Sequence, residues 1–239
     1  MCIACQNFAL PRRSFLALAA SGATAAATIA LSNRALAAGA TTSVTPDEAL
    51  ARLKSGNEKF VSAPQLCAAD HAQQREAIAK AQTPWAAILG CADSRMPPEL
   101  VFGGVGLGEL FVDRNAGNMA DTATMGTLEY GAVELGVPLI VVLGHQRCGA
   151  VAAACSVVEK RTKFPGSIGP MVAAIVPAAR AVHGKPGDFV ENAVRESAKR
   201  TAAKIATDSK IVAGLVRAKK VKVLAAYYDL GSGKVEYLT

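Results

Sequence analysis

Pro138-Leu139-Ile140-Val141-Val142-Leu143-Gly144 runs directly into His145-Gln146-Arg147-Cys148, and this stretch decides the fold class. Leu139 to Leu143 are apolar without alternation, the pattern of a strand covered on both faces of a parallel sheet. Upstream, Trp85-Ala86-Ala87-Ile88-Leu89-Gly90 has the same character and runs into Cys91-Ala92-Asp93-Ser94-Arg95. A third strand is expected at Leu110-Phe111-Val112, followed by a loop at Arg114-Asn115-Ala116-Gly117-Asn118 and a helix from Asp121 to Glu134.

Helices fill the spaces between and beyond these strands. Thr45-Pro46-Asp47-Glu48 is a helix start, with a capping hydroxyl, proline at the first helical position and acids facing the positive end of the dipole. That helix should run to about Phe60, with Leu53 and Phe60 compatible with one buried stripe. Asp70 caps a second, from His71 to about Ala81, which Pro84 stops. Further helices are expected at about Ala150 to Lys160, Ile168 to Val182 and Phe189 to Val216, the last broken near Asp208. Val221 to Tyr227 and Lys234 to Leu238, joined through Asp229-Leu230-Gly231-Ser232-Gly233, read as a closing hairpin. Strands separated by helices predict an α/β fold: a mostly parallel central sheet with an antiparallel edge, flanked by helices.

The chain opens differently. Pro11-Arg12-Arg13-Ser14-Phe15-Leu16-Ala17-Leu18 precedes a small-residue apolar run to Leu31 and the A-x-A pattern Ala35-Leu36-Ala37. This resembles a twin-arginine export signal, so residues 1–37 are expected to be a removable leader and 38–239 a single catalytic domain in the periplasm. The apolar run is alanine- and threonine-rich and shorter than a usual membrane span, so no stable membrane insertion is expected after cleavage. Cys2 and Cys5 lie upstream of the cleavage pattern and cannot serve the mature protein. The 239 residues, 51% hydrophobic and 19% charged, suit one folded domain and exclude a disordered chain. The formal charge of +7 falls to +4 without Arg12, Arg13 and Arg34, because the leader holds no acidic residue. The remaining cations are scattered except at Lys219, Lys220 and Lys222, with no interleaved aromatics, which argues against nucleic-acid binding.

Chemically active residues stand at the ends of two apolar strands, where open α/β sheets bind ligands. If those strands are neighbours, Cys91, His145 and Cys148 converge although 53 residues separate the first two. Two thiolates and an imidazole suit zinc, and a catalytic zinc takes three protein ligands with one position open. Asp93 and Arg95 follow the first ligand closely enough for the carboxylate to reach the metal or to pair with the guanidinium. Two other arrangements fit the same residues. Cys91–Cys148 and Cys67–Cys155 are conceivable disulfides in an oxidising compartment, and a closed structural zinc could use Cys91, His145, Cys148 and Asp93. Glycines from Gly103 to Gly108 suggest a dinucleotide loop, but G-x-G-x-x-G from Gly104 meets Glu109 where glycine is needed.

CADSRMPPEL (91–100), RNAGN (114–118) and GHQRCGA (144–150) resemble the successive signature segments of the β-class carbonic anhydrases. The resemblance extends from the helix at Pro46 to the terminal YYDLGSGKVEYL. It implies Cys91, His145 and Cys148 as zinc ligands and Asp93 with Arg95 as the catalytic dyad, Asp93 being able to bind the metal in a closed state. It further implies reversible hydration of carbon dioxide to bicarbonate and a proton by zinc-bound hydroxide, with Asp93 accepting a hydrogen bond and Arg95 holding it off the metal. Two thiolates donate more charge than two imidazoles, so activity is expected to be weighted toward alkaline pH. A homodimer or larger homo-oligomer is implied, the Pro46 helix wrapping a neighbour. Related hydrolysis of carbonyl sulfide or carbon disulfide would use the same ligands, and a non-catalytic zinc protein is a further reading. The stretch from Gly103 to Glu109 replaces a shorter turn expected in the family, and Asp113 an apolar neighbour of RNAGN; both are expected to affect the pocket rim. His71 and His183 read as surface residues.

Overall fold

The computed structural model describes residues 41–64, 75 and 78–238. The expected leader, Cys67, the expected Asp70 cap and most of the helix expected from His71 lie outside them. All described residues belong to one compact unit. Among them the elements run α1 (Pro46–Ser62), β1 (Ala86–Cys91), α2 (Pro98–Val101), β2 (Leu110–Asn115), α3 (Thr122–Val133), β3 (Leu139–His145), α4 (Gly149–Lys160), α5 (Ile168–Val182), α6 (Phe189–Asp208), α7 (Lys210–Arg217), β4 (Lys222–Tyr228) and β5 (Val235–Leu238).

The strands lie in the order β2-β1-β3-β4-β5. Four are parallel and β5 closes the sheet antiparallel to β4. The predicted fold class is therefore the observed one. Side chains alternate across a strand, so β1 and β3 each feed two cores. Ala86, Ile88, Leu139, Val141 and Leu143 pack on the face covered by α1, α4 and α5. Ala87, Leu89, Ile140 and Val142 pack on the other, against Leu128 of α3, Ala198, Ala202 and Ile205 of α6, and Val212 of α7. Every residue of β1 and β3 is buried, which is why neither strand shows a polar alternation.

Some boundaries differ from those expected. β2 continues through Arg114 and Asn115, because the ladder with β1 extends to Gly90↔Arg114 and Cys91↔Asn115. These polar residues were expected in a loop; at a half-buried edge strand their side chains need no apolar face. The break between α6 and α7 is made by buried Ser209, whose hydroxyl caps Val212 N–H at 3.0 Å and donates to Glu129 Oε1 at 2.6 Å. The capping box at Thr45 and Glu48 forms as the sequence requires.

The buried stripe of α1 is Ala49, Leu53 and Asn57, with Phe60 packed at its margin. Asn57 Nδ2 donates to Val101 O at 3.0 Å and Gly233 O at 2.8 Å, and its Oδ1 accepts Val235 N–H at 2.9 Å. One buried amide thus ties α1 to α2 and to the terminal hairpin. The segment from Gly103 to Glu109 does not border the strand ends that carry Cys91 and His145. It precedes β2 at the opposite end of the sheet, packing on Gly56, where a Cβ would collide with Phe102 O. Glu109 pins this loop by accepting Gly106 N–H at 2.8 Å and Trp85 Nε1–H at 3.2 Å. The expectation that it shapes the pocket rim is corrected accordingly. No described helix is long and apolar enough to cross a membrane.

Candidate metal centre

β1 and β3 are neighbours in register, and each delivers its last residue to one point: Cys91 from β1, His145 from β3. The chain then turns through Gln146 and Arg147 and places Cys148 at the N-cap of α4. The Cys91 and Cys148 sulfurs, with an imidazole nitrogen of His145, lie within 4.8 Å of one another. All three side chains are buried, between 0% and 6% exposed.

The two sulfurs are 3.9 Å apart and both cysteines are free thiols, as is Cys155, so the Cys91–Cys148 disulfide does not form. A disulfide needs about 2 Å. Cys67 lies outside the described residues. His145 Nδ1 faces Gln146 O at 2.9 Å, which assigns the proton to Nδ1 and leaves Nε2 with its lone pair. Nε2 is buried with no hydrogen-bond partner. An orphaned lone pair beside two thiols is a poor resting state for an apolar core and a good one for a metal ligand.

Electrostatics act in the same direction. The S–H of Cys148 and the proximity of His145 push the Cys91 thiol well down, against the opposing effect of burial. Gly117 N–H also points at Cys91 Sγ, at 3.4 Å. Cys148 is pushed up by the same shared contact, by burial and by the charge on Cys91. A thiolate is therefore favoured at the pair, and a cation would favour the second.

Asp93 is turned toward Arg95. Arg95 Nε donates to Asp93 Oδ1 at 2.8 Å and Nη2 to Oδ2 at 2.6 Å, a bidentate pair reinforced by Arg95 N–H at 2.9 Å. The guanidinium holds the Asp93 carboxyl well below the usual carboxylate range. Asp93 Oδ2 still lies 3.9 Å from His145 Nε2. The structure thus brings together all five predicted residues, with Asp93 in the arginine pair rather than among the three converging donors.

Sequence reasoning missed the supports. Arg114, expected in a loop, projects from β2 to donate from Nε to Cys91 O at 2.8 Å and from Nη2 to Asp93 O at 2.5 Å. Gly117 sits at φ +86°, and a Cβ there would meet Ile175 Cδ1 at 2.5 Å. RNAGN contained both, but only the β1–β2 register shows what they hold. His183 is exposed, as expected, and stacks edge-on against Phe189; His71 lies outside the described residues.

Known proteins share both sequence and fold. The sequence model of the carbonic anhydrase family matches residues 86–235. A carbonic anhydrase of Mycolicibacterium smegmatis is 34% identical over 191 residues, covering 80% of this chain and 92% of that protein. The β-carbonic anhydrase CafA of Aspergillus fumigatus superposes with a TM-score of 0.61 at 26% identity, over 80% of this chain and 89% of that one. One of two tetrameric β-carbonic anhydrases from Sordaria macrospora matches with a TM-score of 0.59 at 21% identity, covering 95% and 98%.

Proposed function

The chain belongs to the β-class carbonic anhydrase family, and from that premise we propose that it catalyses the zinc-dependent, reversible hydration of carbon dioxide to bicarbonate and a proton. One observation carries the reading: three buried donors, Cys91 Sγ, Cys148 Sγ and an imidazole nitrogen of His145, converge within 4.8 Å while Asp93 is held aside by Arg95. Those three atoms are the ligands assigned to zinc, which when bound supplies the Lewis acidity that activates water. The donor set fits that metal, and the unpartnered Nε2 is accounted for by it.

The protein's own residues divide the remaining tasks. Asp93, kept ionised by Arg95, is a hydrogen-bond acceptor near His145, placed to accept a hydrogen bond from the O–H of the attacking oxygen and so aim its lone pair at the carbon of CO2. Arg95 holds that carboxylate in one orientation and out of the ligand position, which supports an open rather than a closed centre. Arg114 fixes the carbonyls on either side of Ala92, and so the distance between the Cys91 thiol and the Asp93 carboxylate. Gly117 N–H stabilises negative charge on Cys91 Sγ.

Export by the twin-arginine route to the periplasm is part of the proposal, supported by Arg12-Arg13 and by Ala35-Leu36-Ala37. So is assembly as a homodimer or larger homo-oligomer, supported by the tetrameric relatives of known structure. Stopped-flow measurement with zinc-loaded protein on carbon dioxide, carbonyl sulfide and carbon disulfide tests the substrate. Turnover of CO2 well above both sulfur compounds is expected; the opposite ranking would replace this reading with a related hydrolase.

A further inference from the structure

Two of the assigned ligands are joined by only two residues, and one of these has an unusual backbone. Arg147 has φ +53°, the left-handed region that non-glycine residues seldom occupy. The turn is tied at each intervening residue. Gln146 N–H donates to Tyr228 O at 2.8 Å, and Arg147 N–H donates to Glu191 Oε1 at 3.0 Å. Glu191 belongs to the first turn of α6, where its own N–H donates to Asp188 Oδ1 at 2.9 Å. Its second oxygen, Oε2, accepts the hydroxyl of Tyr227, the residue before Tyr228 on β4. One turn further on, Arg195 lies 3.9 Å over the Tyr227 ring and pairs with Glu236 Oε2 at 2.8 Å. Neither Glu191 nor Tyr227 is assigned a step in the chemistry above.

We propose that Glu191 is a positioning residue: by receiving Arg147 N–H it holds the left-handed turn, and with it the placement of His145 relative to Cys148, which sets how tightly and in what geometry the centre holds its metal. The proposal rests on those two residues being ligands. The physical requirement is an acceptor at a fixed distance, not a charge. Two donors, a backbone amide from the turn and a phenol from β4, share one half-buried carboxylate anchored at a helix start. Glutamine meets the same demand, because its carbonyl accepts Arg147 N–H and its amide donates to a Tyr227 oxygen able to accept. Aspartate keeps the charge but withdraws the acceptor by about 1.5 Å, one carbon–carbon bond. Outer partners of this kind change metal affinity by about 10–100-fold.

Two readouts test this. Amide hydrogen exchange at Arg147, followed in metal-free reduced protein, reports the turn itself; chelator competition and the visible spectrum of the Co2+-loaded protein report the centre. Glu191→Ala and Glu191→Asp should expose the Arg147 amide, weaken metal retention at least about tenfold and alter the Co2+ bands, while Glu191→Gln stays within about threefold of wild type. Arg195→Ala, which disturbs the same helix–strand contact without touching Arg147, should leave the Co2+ spectrum unchanged. The proposal is overturned if Arg147 exchanges equally in wild type and Glu191→Asp, or if Glu191→Gln falls as far as Glu191→Asp. Wild-type protein that protects Arg147 but binds neither Zn2+ nor Co2+ would instead remove the ligand assignment, and this inference with it.

Discussion

Replacing Gly117 with alanine should damage the centre through a defined clash, and the size of the damage can be worked out. The residue sits at φ +86°, where an alanine costs about 1–2 kcal/mol. Its new Cβ would lie 2.5 Å from Ile175 Cδ1 and 3.2 Å from Ala150 Cβ, and overpacking of this kind costs about 1–3 kcal/mol. The expected loss is therefore about 2–5 kcal/mol. Ile175→Val removes the Cδ1 methyl and alone costs about 0.5–1.5 kcal/mol. In the double variant the 2.5 Å clash disappears while the Ala150 contact and the backbone strain stay, so about 1–2 kcal/mol of favourable coupling should appear. Urea unfolding of all four proteins, metal-free, reduced and at one concentration, measures the cycle. Because Gly117 N–H points at Cys91 Sγ, the single variant should also release zinc more readily. Additivity within about 0.5 kcal/mol would refute the contact as the source of the loss.

Other perturbations probe separate parts of the molecule. Asn57→Ala removes three hydrogen bonds, two of them buried, between α1, α2 and the terminal hairpin and should cost about 2–4 kcal/mol, seen as a Tm lowered by several degrees; an unchanged Tm would show that these bonds do not hold α1 in place. Burial pushes the Cys155 thiol up to about 11, so the folded state keeps that proton longer than the unfolded chain does. Its contribution should be intact below about pH 8.5 and lost as pH rises through about 11; a stability difference between wild type and Cys155→Ala that stays flat over that range would contradict this. Lysine at both Arg12 and Arg13 should leave the protein unprocessed in the cytoplasm by fractionation, whereas normal export would remove the twin-arginine assignment.

The sequence disclosed the parts of this fold that depend on burial and little of what depends on register. Leu139 to Leu143 and Ala86 to Leu89 are apolar on both faces because both faces are covered, so the central strands and their reactive ends were visible at once. Cys91 and His145 could be read because they close such strands, and Cys148 because it follows His145 by three residues. β2 was cut short at Val112 because Asp113, Arg114 and Asn115 are polar, and an edge strand is held by its ladder rather than by its side chains. Arg114, Gly117 and Glu191 act on a carbonyl, a thiol and an amide 21 to 44 residues away, contacts that carry no local signature. The glycines from Gly103 to Gly108 misled for the same reason: their composition marks a loop, but only the fold shows it facing α1 at the far end of the sheet.

The central claim is that Cys91, His145 and Cys148 hold a zinc that hydrates CO2. Stopped-flow CO2 hydration from about pH 6.5 to about 9, with zinc content assayed on the same samples, compares wild type with Cys148→Ser most directly. The account predicts zinc-loaded wild type that is fast toward alkaline pH and a variant that loses both metal and rate. Wild type carrying a full complement of zinc yet inert throughout, or Cys148→Ser retaining both, would contradict it.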